Sequence, residues 1–168
     1  MSSSPFVMEW IARLARRDAR ALDVAMGRGR HALPLARAGF RTFGVDVDVG
    51  VVREAARAAR EAGTPICAWC ADLTSYPLPG ARFDLVLVTR YLQRDLFSAL
   101  RDALTPDGIV LYETFTVRQR ALGTGPTSAD HLLRDGELRR YFDDFEIVFY
   151  EEVSSPEAVA RLVARKRS

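Results

Sequence analysis

Apolar residues follow two alternating rhythms along the chain: short continuous runs that suit strands, and stretches with apolar positions three or four apart that suit helices. Phe6, Val7, Trp10, Ile11 and Leu14 recur at helical spacing and predict a first amphipathic helix. Residues 21–25 read as a short buried strand that runs into Gly27-Arg28-Gly29. A helix then carries Leu33, Leu35 and Ala36 to a stop at Gly39. Residues 41–45 predict a second strand, and Asp48 an N-cap for an Ala-rich helix over 51–62 that Gly63 terminates. A third strand covers roughly 65–71, and 83–88 is the clearest central strand. A helix over 92–104 leads through a Pro106-Asp107-Gly108 turn into a fifth strand, 109–112. Residues 114–128 are polar and punctuated by Gly and Pro, long enough for a binding loop. A helix over 130–142 follows, with Gly136 a weak point inside it. The segments 145–151 and 158–165 read as two last strands. Only a short turn around Ser154-Ser155-Pro156 separates them, so they pair antiparallel.

Strands alternating with helices predict a parallel sheet with crossover connections. Five parallel strands closed by an antiparallel pair differ from a dinucleotide-binding Rossmann domain in the last strands, not the first. The 168 residues, with no internal repeat or low-complexity linker, predict one domain. A 48% hydrophobic and 27% charged composition excludes a disordered or fibrous chain. Charges interrupt every hydrophobic block, so no membrane span is expected. The start, Met1-Ser2-Ser3-Ser4-Pro5, lacks the basic and apolar regions of a secretory leader, and a cytoplasmic protein is expected. The net charge of +2 on a mixed surface argues against a nucleic-acid partner.

The chemistry gathers where the first strand hands over to the first crossover helix, at Asp23-Val24-Ala25-Met26-Gly27-Arg28-Gly29-Arg30. Glycines there allow a sharp turn and let a ligand approach backbone amides without an intervening Cβ. The same stretch satisfies G-x-G-x-x-A, the dinucleotide fingerprint, and alone does not choose between cofactors. Three carboxylates do choose. Asp23, just before the glycines, suits a cationic ligand group. Asp46 at the second strand end suits the two hydroxyls of a ribose. Asp72 at the third, followed by Leu73, suits an adenine amino group and its face. Carboxylates at three successive strand ends fit a nucleoside carrying a positively charged amino acid, not a pyrophosphate.

At these residues the chain resembles the class I S-adenosylmethionine-dependent methyltransferases. Their glycine motif is usually D-x-G-x-G-x-G; Asp23, Gly27 and Gly29 match it, while Ala25 replaces the first glycine. The resemblance implies an α/β, Rossmann-like fold: a seven-stranded, mostly parallel sheet of order 3-2-1-4-5-7-6, strand 7 antiparallel, with helices on both faces. It places the methionine moiety along 25–29, the ribose on Asp46, and the adenine near Val47, Asp72 and Leu73. The candidate cofactor-binding residues are Asp23, Ala25, Met26, Gly27, Gly29, Arg30, Asp46, Val47, Asp72, Leu73 and Thr89. A closer resemblance, to the tellurite-resistance methyltransferase group, rests on three blocks. These are Gly136-Glu137-Leu138-Arg139-Arg140-Tyr141-Phe142, residues 146–152 and residues 160–166, together with Gly29-Arg30 and the Thr105-Pro106-Asp107-Gly108 turn. That group carries a longer basic segment between its last two strands than the 153–157 stretch found here.

The acceptor site is expected over the ends of strands four and five. Arg90 is placed to orient an anion, Tyr91 to hydrogen-bond a nucleophile and Glu113 to take a proton, with Gln93 and Arg94 nearby. The expected reaction is in-line methyl transfer to a small molecule enclosed by the first helix and the 116–128 loop, releasing S-adenosylhomocysteine. A monomer or homodimer acting without metal is expected. Cys67 and Cys70, three apart on a strand, point to opposite faces and read as core packing instead of a redox or zinc pair. His31 and His131 read as structural or exposed, with direct chemistry the lesser alternative. Arg53, Arg57 and Arg60, interleaved with Glu54 and Glu61, make a solvated helix face. Two alternatives stay open: a nicotinamide-dependent reductase, favoured by G-x-G-x-x-A, and a non-catalytic S-adenosylmethionine-binding module, hinted at by Ala25.

Overall fold

A computed structural model describes residues 3–168; Met1 and Ser2, part of the stretch read for a leader, lie outside the described residues. In chain order the elements are α1 (Pro5–Leu14), β1 (Arg20–Val24), α2 (Ala32–Arg37), β2 (Arg41–Asp46), α3 (Val49–Glu61) and β3 (Cys67–Cys70). They continue with β4 (Phe83–Thr89), α4 (Phe97–Ala103), β5 (Leu104–Phe115), α5 (Glu137–Arg140), β6 (Glu146–Val153) and β7 (Val159–Arg165). The strands form one sheet in the order β3-β2-β1-β4-β5-β7-β6. β7 runs antiparallel to β5 and to β6, and the other pairings are parallel.

Side chains alternate across the sheet, so each strand feeds two cores. Leu22, Val86, Val88 and Tyr112 face α4 and α5, where Phe97, Leu100, Leu138 and Phe142 bury them. Ala21, Leu85, Leu87 and Leu111 face the other way, under Phe6, Trp10 and Ile11 of α1 and Leu35 of α2. The expected cap holds, with Asp48 accepting from Gly50 and Val51 at the start of α3, and the structure adds a second, Ser4 accepting from Val7 N–H at the start of α1.

Four expectations need correcting. The helix over 92–104 is a 3₁₀ turn, Arg94–Leu96, followed by the shorter α4. The Pro106-Asp107-Gly108 turn lies inside β5, where the register against β4 slips between Phe83↔Leu104 and Leu85↔Ile109. Asp107 takes a left-handed φ of 62° there, and the bulge absorbs the extra residues. The helix over 130–142 is broken. Leu133 bridges to Thr116, and Gly136 at φ 69° restarts the chain into the one-turn α5. What replaces the missing helical hydrogen bonds is an ion pair. Buried Glu137 accepts from Arg94 Nε at 2.6 Å, Arg94 Nη2 at 3.0 Å and the Arg134 amide at 2.7 Å. Arg94 also donates to the carbonyl of Leu132, which commits it to holding this loop. Finally, Cys67 and Cys70 are both exposed and free, because β3 is an edge strand.

Candidate functional site

The C-terminal ends of β1, β2 and β4 open into two cavities that meet. The larger, about 810 Å³, is lined by Ala25, Met26, Gly27, Arg28 and Arg30 of the first turn, by 89–92 after β4, and by Phe115. Gln119, Thr124, Gly125, Pro126 and His131 supply its loop wall, and Glu157 its far side. The smaller, about 350 Å³, is lined by Ala25, Val45, Asp46, Val47, Ala71, Asp72, Leu73 and Tyr91. Ala25 and Tyr91 line both and mark where they join.

Local backbone geometry explains the turn. Ala25, Gly27 and Gly29 all take left-handed φ angles, 53°, 53° and 78°. Ala25 therefore does without strain relief what a glycine would do at no steric cost. A Cβ on Gly29 would lie 3.1 Å from Leu33 and 3.2 Å from Ala55, so this glycine also seats α3 beside α2. Gly44, not singled out in the sequence, is needed for a different reason. A Cβ there would come 2.1 Å from Met26 Sδ, so the bare β2 backbone makes room for the turn's buried methionine.

The carboxylates occupy distinct settings. Asp46 Oδ2 accepts from the Gly27 amide at 2.8 Å and Oδ1 from the Asp48 amide at 3.0 Å, tying the glycine turn to β2. Exposed Asp72 accepts from the Thr74 amide and hydroxyl at 2.9 and 2.7 Å, which hold its carboxyl below the usual range. Asp23 is buried, and neither carboxylate oxygen has a hydrogen-bond partner. Burial pushes its pKa up to about 7, against the pull of Arg30. A buried carboxylate without a partner is costly and fits a ligand that brings positive charge to its side of the turn.

Of the candidate cofactor residues, Ala25, Met26, Gly27, Arg30 and Thr89 line the larger cavity and Ala25, Asp46, Val47, Asp72 and Leu73 the smaller. Asp23 and Gly29 line neither. Thr89 shares a 3.2 Å hydrogen bond with His31 Nδ1. His31 Nε2 accepts from the Ser4 amide at 3.1 Å, so the neutral ring carries its proton on Nδ1 and donates to Thr89. Burial, then the fields of Arg30 and Arg90, lower the His31 pKa to about 4. His31 is therefore a bolt between α1 and the end of β4.

Among the acceptor candidates, Arg90 and Tyr91 line the cavity and Glu113 does not. Buried Glu113 accepts from Arg161 Nε at 2.7 Å, and Arg161 also donates to Glu151 at 2.8 Å, so its carboxylate is neutralised away from the site. Arg90, at φ 53°, donates to Glu157 at 2.6 Å and lies 5.2 Å from the Phe115 ring centroid. Burial raises the Tyr91 pKa, so its hydroxyl stays protonated and donates to Gln93. α1 contributes no described residue to the cavity; it packs on the sheet face. Glu157 and Gln119 carried no sequence signal as site residues. Buried Gln119 accepts from the Ala158 amide at 2.7 Å and donates to Thr124, locking the loop onto the β6–β7 turn.

Residues 21–108 match the Methyltransferase domain family. No curated protein sequence matches the chain. Among solved structures, TehB from Haemophilus influenzae superposes with a TM-score of 0.81 at 16% identity, covering 99% of this chain and 64% of that one. A SAM-dependent methyltransferase from Methanosarcina mazei gives 0.75 at 18%, covering 99% of each. The [4+2]-cyclase SpnF gives 0.79 at 22%, covering 96% of this chain and 80% of that one. These likenesses show the shared fold.

Proposed function

Since the chain belongs to the methyltransferase domain family, we propose that it transfers a methyl group from S-adenosylmethionine to a small molecule held in the larger cavity. The observation that carries this reading is the meeting of the two cavities at Ala25 and Tyr91, one walled by strand-end carboxylates and the other by polar and aromatic side chains. The residues present fit the donor. Asp46 and Asp72 offer acceptor oxygens to hydroxyl and amino groups, and Leu73 offers an apolar wall. The unpartnered carboxylate of Asp23 supplies negative charge beneath the turn. When bound, S-adenosylmethionine supplies an electrophilic methyl group on a sulfonium.

The chain's own contribution is positioning and exclusion of water. Met26, Leu92 and Phe115 give the acceptor cavity apolar walls, and the loop over 119–126 closes one side of it. Tyr91, protonated, acts as a hydrogen-bond donor instead of a base. Arg90 orients an acceptor only as far as Glu157 releases it, since the two form an ion pair within the cavity. The cavity size favours a small acceptor, and an in-line displacement needs positioning instead of a covalent enzyme intermediate.

Calorimetric titration with S-adenosylmethionine, S-adenosylhomocysteine and reduced nicotinamides tests the donor assignment. Asp46→Ala is expected to weaken donor binding by roughly 1–3 kcal/mol, through loss of charge-assisted hydrogen bonds and of the Gly27 anchor. Unchanged affinity in that variant, or binding of a nicotinamide alone, would overturn it. Transfer of labelled methyl to a pooled small-molecule extract tests the acceptor class. Donor binding without any transfer would favour a binding module instead.

A further inference from the structure

A third cavity, about 580 Å³, lies on the same sheet as the donor site but over the flank of β2 and β3, and nothing in methyl transfer uses it. Its volume is within the roughly 300–1,000 Å³ typical of small-molecule sites. The crossover between β3 and β4 contains no helix, so residues 71–82 pass as a loop and leave this end of the sheet face open. Phe43 and Trp69 form the floor, and Leu78 with the exposed ring of Tyr76 forms the loop side. Three arginines stand around it: Arg20 and Arg41 at the first residues of β1 and β2, and Arg82 just before β4.

No acidic side chain lines this cavity. None of the three arginines forms an ion pair among the described residues. Asp84, the nearest carboxylate in sequence to Arg82, alternates to the opposite sheet face from Phe83. It is engaged there by the Arg20 amide at 2.8 Å and the Thr105 hydroxyl at 3.3 Å. An aromatic floor under three uncompensated guanidinium groups is complementary to a flat apolar body carrying one negative group.

We propose that this cavity is a second ligand site, for a small aromatic acid. The ring lies against Phe43 and Trp69, and the carboxylate, sulfonate or phosphate is held by Arg41 and Arg82 with Arg20 at the margin. Ala71 and Leu73 line both this cavity and the smaller donor cavity, so the two ligands are separated by a single layer of side chains.

Trp10 and Trp69 are the chain's two tryptophans, and Trp→Phe at position 10 leaves Trp69 as the sole tryptophan reporter. In W10F, energy transfer from Trp69 to 1-anilinonaphthalene-8-sulfonate is expected to saturate at one site. The uncharged probe N-phenyl-1-naphthylamine is expected to bind at least tenfold more weakly. Arg41→Gln with Arg82→Gln, both at exposed positions and checked for an unchanged melting temperature, is expected to weaken the sulfonate at least tenfold. Equal binding of both probes, equal affinity in the double variant, or non-saturating binding would overturn the proposal. So would complete displacement by S-adenosylhomocysteine, which would place the probe in the donor cavity. Dimerisation that the double variant abolishes would assign the surface to a second copy of the chain and overturn it as well.

Discussion

At the scale of single residues, Ala25 is the most informative departure from the family's glycine pattern. Its left-handed backbone, φ 53°, costs an L-residue about 1–2 kcal/mol. Replacing it with glycine removes that cost but loosens the unfolded chain by about 0.4–1 kcal/mol. Ala25→Gly is therefore expected to stabilise the fold by about 0.5–1 kcal/mol in denaturant titrations. A destabilised variant would mean that the Cβ makes packing contacts that matter more than the backbone. Asp23 and His31 give a pH signature with opposite signs. The native carboxyl, with its pKa near 7, keeps a proton that the unfolded chain releases near 3.8, so its contribution is lost as pH rises through that interval. His31, near 4 when folded and 6.5 when unfolded, makes the fold lose stability as pH falls from 6.5 to 4. The two slopes oppose one another over that window. Asp23→Asn removes one of them, so its unfolding midpoint is expected to drop on acidification from pH 6.5 to 4 more steeply than the parent's. Donor affinity in the parent is expected to fall as pH drops below about 7, where Asp23 becomes neutral and no longer meets the donor's positive charge. Calorimetry across pH 5.5–8.5 checks this, and a flat profile would remove Asp23 from the site.

Elements show where sequence patterns carried through and where they did not. Strand existence and the antiparallel ending are legible from apolar runs and turn lengths, while the strand order follows from the family resemblance. Strand-end position singles out Asp46, Asp72 and Leu73, the resemblance adds Val47, and all four line the smaller cavity. Sequence pattern fails where a long-range contact overrides local preference. Residues 130–142 have helical spacing, yet Arg94, more than thirty residues upstream, draws Glu137 and the Leu132 carbonyl into a different arrangement. Their three-residue spacing on a strand argues Cys67 and Cys70 out of a chelate and into the core, but an edge position exposes them both. Glu113 looks free in the sequence because its partner, Arg161, which also donates to Glu151, lies on a strand that pairs with β5 only in the folded sheet. Gly44 had no sequence signature at all. Gly44→Ala is expected to push Met26 out of its place beside Ala32, Val52 and Ala55, costing about 1–3 kcal/mol of stability. It should also weaken donor binding, and an unchanged structure around Met26 would contradict the role given to this glycine. On the β6–β7 turn, Glu157→Gln frees Arg90 from its ion pair. Turnover of anionic acceptors is expected to gain in kcat/KM relative to neutral ones, and a loss would show that the pair itself orients the acceptor.

For the whole molecule, one sheet serves three cavities, and their boundaries are thin. The donor and acceptor cavities share Ala25 and Tyr91, while the donor cavity and the arginine-rimmed one share Ala71 and Leu73. Two molecules resting on opposite sides of the same two side chains are thermodynamically linked. Whatever factor a ligand on one side imposes on the dissociation constant of the other is returned in full. The abundance of an aromatic acid would thereby set how much of the protein carries a methyl donor, and the reverse. Measuring each affinity with the partner ligand saturating must give one and the same ratio.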